Sequence, residues 1–146
     1  MFERHIETTI DIMAPPERVW EILTDFPAYP SWNPFIVSAY GEPTVGAWLE
    51  VHIQPKGKRA LMFRPTVLVA EPDRELRWRG RMLLPGLFDG EHFFRIEDRS
   101  GTVHFVHGET FSGLLVGLVR GTLNATRSGF EAMNTALKER AERAPG

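Results

Sequence analysis

Alternating apolar and polar positions predict β-strands along most of this chain. In the first of them, Ile6, Thr8, Ile10 and Ile12 share one face, which is the period of two that a half-buried strand shows. The same pattern predicts seven strands: His5–Ile12, Phe35–Tyr40, Trp48–Gln54, Arg59–Glu71, Glu75–Met82, Gly90–Glu97 and Thr102–Phe111. Pro65 dents the fourth strand, and a proline belongs at a sheet edge or a bulge. Because no helix separates the last six strands, the sheet must be mostly antiparallel.

Spacings of three and four residues predict helices in two places. A short helix begins at Ala14-Pro15-Pro16, since proline's fixed φ and missing N–H cost little in a first turn. It ends at Asp25 and Pro27, and the proline-broken aromatic turn Tyr29–Pro34 follows, so two short helices are expected between the first two strands. A long helix is predicted from Leu114 to about Arg140.

The long helix has one face that suits the concave side of the predicted sheet. Its members recur at spacings of three and four and are Val119, Leu123, Thr126, Phe130, Met133 and Leu137. A curved sheet that grips one helix tends to leave an apolar cavity, and cavities with a few polar groups are the default ligand sites. Two roles stay open for Thr126: a hydrogen bond to a carbonyl of its own helix, or contact with the ligand.

The strongest polar constellation lies on the sixth and seventh predicted strands. His92 on one strand, and His107 and Glu109 on the other, share faces with phenylalanine and isoleucine, which we take as core faces. If the tight turn between the strands pairs Glu97 with Thr102, His92 lies opposite His107, and Glu109 is a diagonal neighbour. The two histidines and the glutamate then converge in apolar surroundings.

Three roles stay open for this trio. It could be a buried hydrogen-bond network that holds the hairpin, since buried charges need partners. It could anchor the polar end of an otherwise apolar ligand. It could also act in general acid–base catalysis, because histidine titrates near neutrality and a nearby carboxylate can set its tautomer. The donor types would suit a metal ion as well, but such a trio on one hairpin arises often by chance, and no metal is predicted.

Composition narrows the class of protein. With 146 residues the chain can form one sizeable core, so a single domain over residues 1–146 is predicted. A net charge of −2 argues against nucleic-acid binding, and the absence of cysteine excludes disulfides and thiol catalysis. The first residues lack the apolar core of a signal peptide, and the apolar run Leu114–Val119 is far below the roughly 20 residues that span a bilayer. A cytoplasmic protein without stable membrane insertion is expected.

The loop Leu83–Asp89 is unusual because it is apolar, whereas loops are normally polar. Its leucines and phenylalanine must be covered by something. The first interpretation is a cap over the mouth of the cavity, because the loop joins two strands that would line it. Contact with a membrane or a dimer interface are the alternatives, so a homodimer stays open.

Several short motifs resemble one superfamily over nearly the whole chain. They are an Ile-Asp-Ile strand, the Ala-Pro-x-x-x-Val-Trp segment at Ala14–Trp20, Asp25, Trp32-Asn33-Pro34-Phe35, Gly90-Glu91-His92, Glu109-x-Phe111-x-Gly113 and Gly129-Phe130 with the helix that follows. These resemble the START/polyketide cyclase-like superfamily (SRPBCC). The resemblance implies an α+β helix-grip fold, in which a curved seven-stranded antiparallel sheet wraps around a long C-terminal helix. Members bind lipids, hormones or polyketides, and only some are enzymes.

The resemblance and the pattern together predict a protein that binds a small hydrophobic molecule in its interior, as carrier or sensor. The residues expected to contact the ligand are Phe35, Trp78, His92, Phe94, Phe105, His107, Glu109, Phe111, Thr126 and Phe130. A second hypothesis is a polyketide cyclase or dehydratase-like enzyme that uses His92, His107 and Glu109 as acid–base groups. A third is an interaction protein of the chaperone-activator or toxin type with a filled core. No cofactor is expected under any of them.

Overall fold

The computed structural model describes residues 3–55, 57, 59–82, 88–113 and 120–143. In chain order, the strands of this part are β1 (Glu3–Ile12), β2 (Ile36–Tyr40), β3 (Glu50–Ile53), β4 (Leu61–Phe63), β5 (Thr66–Glu71), β6 (Glu75–Met82), β7 (Phe88–Asp98) and β8 (Val103–Ser112). The helices are α1 (Pro16–Thr24), a 3₁₀ helix (Phe26–Ser31) and α2 (Arg120–Glu142). The predicted α+β class is therefore confirmed. Of the apolar loop Leu83–Asp89, residues 83–87 lie outside the described residues, while Phe88 and Asp89 belong to β7.

The strands form two antiparallel sheets, so the prediction of one seven-stranded sheet is wrong. The large sheet has the order β1-β8-β7-β6-β5, and the small sheet has the order β2-β3-β4. The predicted strand Arg59–Glu71 divides at Pro65, with β4 pairing to β3 and β5 pairing to β6. Proline has no N–H to give to a ladder, so the strand that contains it cannot pair continuously on both sides. Its carbonyl instead accepts from the N–H of Leu49 (2.9 Å), where the two sheets meet.

The segment between β1 and β2 is fixed by side-chain bonds to its own backbone. The side-chain oxygen of Asn33 accepts from the N–H groups of Phe35 (3.0 Å) and Ile36 (2.9 Å), as an asparagine in a turn commonly does. The hydroxyl of the fully buried Tyr29 donates to the carbonyl of Leu23. Burial, reinforced by Asp25, raises the pKa of Tyr29, so this hydroxyl keeps its proton. The two predicted short helices thus become one α-helix and one 3₁₀ helix.

The C-terminal helix packs against the large sheet with the predicted face. Phe130, Met133 and Leu137 are fully buried, and α2 contacts β1 and β8. Thr126 is buried too, whereas Val119 lies outside the described residues. Within the described part of the chain, no helix is both long and apolar enough to cross a membrane.

One close approach fixes how α2 meets the start of β2. The ring of Phe35 lies directly over Gly129, and a Cβ at that glycine would overlap the ring. Phe35 is itself buried and packs edge-on against Phe130, with ring centroids 5.4 Å apart. The ring therefore lies in a buried site between α2 and the start of β2.

Replacing Gly129 with alanine should destabilise the protein, although alanine favours a helix by about 1 kcal/mol over glycine. The added methyl group forces Phe35 out of a filled site, and overpacking of this kind costs about 1–3 kcal/mol. Urea unfolding of Gly129→Ala measures the change, with Ser128→Ala at the exposed neighbouring position as the matched control. An unchanged or higher unfolding free energy for Gly129→Ala would contradict the contact.

Candidate functional site

The inner face of the large sheet brings the three predicted polar residues together, but in a different register. His92 lies opposite Glu109, and Phe94 lies opposite His107. The predicted pairing of Glu97 with Thr102 is wrong, because the loop occupies residues 99–102 and the ladder closes at Asp98 and Val103. The shift is two residues, and a shift of two leaves every side chain on its own face. The three polar side chains therefore converge as predicted, although the predicted register was off by two residues.

A continuous chain of hydrogen bonds runs through this cluster. The Nδ1 of His92 is 2.8 Å from the Oε1 of Glu109, and its Nε2 is 2.8 Å from the Nε2 of His107. On the far side, the Nδ1 of His107 is 2.9 Å from the Oδ1 of Asn134. The Nδ2 of Asn134 donates to the hydroxyl of Thr8, which donates to the carbonyl of His107, both at 2.9 Å. The chain thus links β1, β7, β8 and α2.

The direction of each bond follows from one carbonyl. The carbonyl of His107 can only accept a hydrogen bond, so the Thr8 hydroxyl must donate its proton to that carbonyl. The hydroxyl oxygen then accepts from the amide of Asn134. The amide oxygen of Asn134 then faces His107, whose Nδ1 must carry a proton. The tautomer of this buried histidine is set by a neighbour on α2.

His107 is neutral, and this fixes the proton on His92. Its side chain is fully buried, and burial together with the adjacent His92 holds its pKa well below the usual value, despite the opposing bond to Asn134. A neutral His107 with a proton on Nδ1 presents a lone pair at Nε2. The Nε2 of His92 therefore donates to it across 2.8 Å.

The outer end of the chain holds one exchangeable proton. With its Nε2 committed, His92 meets Glu109 through Nδ1, and one proton lies between these two groups. The pair is either an imidazolium beside a carboxylate or a neutral imidazole beside a carboxylic acid. The Glu109 side chain is 16% exposed and that of His92 is 7% exposed, so this end is nearest to the solvent. This outer end can both donate a hydrogen bond to a ligand and accept one from it, whereas the inner end at His107 cannot.

Aromatic rings enclose the cluster on its other sides. Phe130 stacks on His107 at 4.1 Å between ring centroids, and Trp78 stacks on His92 at 5.2 Å. Phe94 lies 4.5 Å from the ring of His107. These contacts fix both imidazole planes and exclude water from the inner histidine.

Two glycines of the inner face lie beside Glu109. Gly80 and Gly90 are direct partners in the β6–β7 ladder, and Phe111 is the partner of Gly90 on β8. The carboxylate of Glu109 lies over Gly90, where an added Cβ would overlap it. Among the described residues, the nearest atom that an added Cβ at Gly80 would meet is the Cβ of Pro65, at 3.9 Å. The described residues therefore leave room for a side chain at Gly80, next to the polar end of the hydrogen-bond chain.

Most of the residues predicted to contact a ligand gather around this point. Six of the aromatic and polar ones are buried and adjoin one another: Trp78, His92, Phe94, Phe105, His107 and Phe130. Phe35 reaches the cluster through Phe130, and Phe111 is buried one inward position beyond Glu109. Thr126 is buried about one helical turn before Phe130.

Sequence reasoning missed Asn134 and Thr8. Asn134 follows Met133 and lies four residues after Phe130, so a slightly wider inner face of the helix would have included it. Thr8 stands among isoleucines on the inner face of β1, and a hydroxyl at such a position needs a partner. Both polar positions could be seen in the sequence pattern, but the pattern did not show that His107 is their shared partner.

Other described features do not overlap with this site. In the described residues, no group of three or more histidine, aspartate or glutamate side chains is arranged to hold a metal ion. A cleft of about 580 Å³ opens elsewhere, between the start of α1, the β5–β6 turn and the end of β7. Its lining is strongly charged and includes none of the predicted ligand contacts.

The fold and this inner-face site define a protein of the helix-grip class. The family described as polyketide cyclase/dehydrase and lipid transport matches residues 3–142, so the chain belongs to that family, within the START/polyketide cyclase-like superfamily. No curated protein matches it significantly.

Solved structures of the same fold include two described as aromatase/cyclases. One is ZhuI from Streptomyces sp. R1128, with 21% identity, TM-score 0.76 and coverage of 97% of this chain and 95% of that one. The other is the di-domain ARO/CYC BexL of the BE-7585A biosynthetic pathway, with 15% identity, TM-score 0.79 and coverage of 98% of this chain. This chain spans about half, 51%, of the di-domain protein. A START superfamily protein from Mycobacterium smegmatis has 21% identity and TM-score 0.71, covering 94% and 97% of the two chains.

Acidification should destabilise the protein through His107. The folded state keeps this group neutral, while the unfolded chain protonates it near its ordinary pKa of 6.5. Below that pH the unfolded state binds more protons, so stability falls as the pH falls, with a slope that rises to about 1.4 kcal/mol per unit and lasts until the folded pKa is reached. Urea unfolding at about pH 6.5 and about pH 5.5 should show this loss in the wild type but not in His107→Gln.

The exposed His52 supplies the control for this experiment. Its side chain is 37% exposed, and His52→Gln should retain the wild-type dependence on pH. Equal losses of stability in the wild type and in His107→Gln would contradict a neutral, buried His107.

Proposed function

We propose that this chain acts as a single domain that binds a small hydrophobic molecule of lipid, polyketide or aromatic type, as carrier or sensor. The ligand lies between the large sheet and α2. The observation that carries the proposal is the Glu109–His92 pair, the polar end of a buried hydrogen-bond chain, which lies beside the backbone of Gly80. Membership of the family and the similar aromatase/cyclase and START structures support this class of ligand.

The surroundings of the pair favour a ligand with an apolar body and one polar end. Trp78, Phe94, Phe105 and Phe111 are buried on the same inner face, and aromatic side chains make large apolar contacts. The pair can donate to a carbonyl or accept from a hydroxyl, because one proton lies between its two groups. A keto or phenolic oxygen therefore suits this end of the site.

Within this proposal His107 positions His92 and does not contact the ligand itself. Both hydrogen bonds of its ring join it to protein side chains in the core, and its side chain is fully buried, whereas Glu109 and His92 form the more exposed end of the chain. It orients His92 and keeps the proton of His92 on Nε2. The ligand contacts that we propose at this end are therefore Glu109 and His92, with His107 as a positioning residue.

A leucine at position 80 should displace the ligand without unfolding the protein. No described residue fills the space next to Gly80, so the new side chain would occupy the place proposed for the ligand. Native mass spectrometry of the freshly purified protein, followed by titration with the fluorescent probe anilinonaphthalene sulfonate, measures occupancy. Gly80→Leu should bind the probe about tenfold more weakly or worse, the change that corresponds to about 1.4 kcal/mol.

The neighbouring Arg79 gives a matched control for this variant. Its side chain is 44% exposed and points to the outer face, so Arg79→Leu adds the same group one residue away. Arg79→Leu should bind the probe as the wild type does. Equal binding by Gly80→Leu, with an unchanged melting temperature, would show that the ligand site lies elsewhere.

A second candidate function is a cyclase or dehydratase, and the hydrogen-bond chain favours it. With His92 as imidazolium and Glu109 as carboxylate, one acid and one base stand 2.8 Å apart. The carboxylate can take a proton from the carbon beside a ketone while the imidazolium gives its proton to a β-hydroxyl that leaves as water. The two proton transfers balance, and a proton passed from Glu109 to His92 restores the starting state. Such a dehydration completes the formation of an aromatic ring from a polyketide.

If this second function holds, Glu109→Gln should abolish turnover and keep binding. A simple probe is the aldol of benzaldehyde and acetone, whose dehydration to benzalacetone is followed by its ultraviolet absorption. Loss of the base should slow the reaction about a hundredfold or more. Glu91→Gln on the outer face, where Glu91 pairs with Arg79 at 3.7 Å, is the control and should keep full activity. A wild-type rate equal to that of buffer, or equal rates in the two variants, would count against the enzyme.

A further inference from the structure

The exposed large hydrophobic side chains of this protein are concentrated on the small sheet. In the part of the chain that the structure describes, they are Met13, Tyr40, Val45, Trp48 and Met62, with exposures of 74%, 59%, 67%, 76% and 46%. Apart from Met13, all belong to the small sheet or to the segment that joins β2 to β3. Single exposed apolar residues are ordinary, but a group on one surface usually marks a binding surface.

The register places three of these side chains on one face. Tyr40 pairs with Glu50, and Met62 pairs with His52, whose ring lies 6.0 Å from that of Tyr40. Trp48 stands two residues before Glu50 and shares its side of the chain, while the intervening Leu49 is buried. We call this surface, with Val45 beside it, the small-sheet face. Its interior side already has a core, so the exposed side is not needed for folding.

The chain bordering this face is basic. From Val51 to Ala70 the sequence contains no aspartate or glutamate, but it contains Lys56, Lys58, Arg59 and Arg64. Arg59 is exposed, and the side chain of Arg64 is 64% exposed.

Acidic groups near the small-sheet face do not cancel this charge. Glu50, on the face itself, is bonded to His52 at 2.8 Å and lies 3.8 Å from Arg64. Glu42, after β2, is exposed and is the remaining acidic side chain of the neighbouring segment. Between Glu42 and Arg64 the sequence thus has four basic residues and two acidic ones, in a protein whose net charge is −2.

We infer that the small-sheet face docks on the surface of an anionic phospholipid bilayer. Tryptophan and tyrosine favour the interface between membrane and water, where the ring is apolar and its edge is wet. Lysine and arginine beside them are attracted to anionic headgroups. A few inserted side chains with a basic border give reversible surface binding, not insertion. This inference does not depend on the proposed ligand or reaction.

Vesicle flotation tests the inference with variants at exposed positions, which should fold normally. The full chain is mixed with vesicles of phosphatidylcholine alone or with added phosphatidylglycerol. The wild type should float with the anionic vesicles only, and high salt should release it. Trp48→Ser should weaken binding about tenfold, as expected for loss of a buried aromatic side chain. Arg59→Glu should weaken it about fivefold or more, since each basic residue contributes about that factor.

Matched controls use similar residues away from the face. Met13→Ser removes an exposed apolar side chain of similar exposure, and Arg143→Glu reverses an exposed charge near the end of α2. Both should float as the wild type does, and all four variants should keep its melting temperature. Failure of the wild type to float with anionic vesicles, or equal flotation of Trp48→Ser, would overturn the inference. A dimer in solution that Trp48→Ser dissociates, without vesicle binding, would overturn it as well and assign the face to a second copy of the chain.

Discussion

The structure depends on one constraint, the pairing of every polar atom around a buried neutral imidazole. His107 is fully enclosed, and its ring nitrogens and carbonyl are satisfied by His92, Asn134 and Thr8. An unpaired polar atom at such a depth costs about 1–3 kcal/mol. The three partners come from β1, β7 and α2, while His107 itself lies on β8, so a slip of β1 or a rotation of α2 breaks at least one bond. The requirement that builds the core also assembles the candidate site.

Because of this pairing, the two ends of the hydrogen-bond chain differ in whether their protons can move. The inner residues have fixed protons, while Glu109 and His92 keep the one proton that can move. The more exposed end is therefore the end that can give up or take a proton, and it lies beside the backbone of Gly80. Carriage and catalysis would use the same contact. They differ in whether the bound molecule places a C–H bond and a leaving hydroxyl beside that pair, which is a property of the ligand.

Periodicity predicted which way side chains point, and it did so better than it predicted partners. The inward faces of β7 and β8 were right even though the register was off by two, because faces repeat with that period. The buried stripe Phe130, Met133 and Leu137 was right for the same kind of reason. Two features could not be read from the pattern. Pro65 was predicted to interrupt a strand locally. Whether it also divides the sheet depends on which strands pair with the residues before and after it. Asn134 is polar within a buried stripe, and only the folded chain shows that His107 is its partner.

The break at Pro65 also separates two surfaces that a single sheet would have merged. The large sheet carries the histidines, while the small sheet carries the exposed Trp48. The two remain firmly joined: Trp48 bridges Thr66, and the backbone of Val67 exchanges hydrogen bonds of 2.9 Å with Gly46 and Ala47. Val67 then pairs with Trp78, whose ring stacks on His92. A bilayer that held the small-sheet face would therefore set the orientation of the proposed ligand site. The contacts argue for fixed geometry between the two surfaces, since every link in this path is a backbone bond or a packed ring.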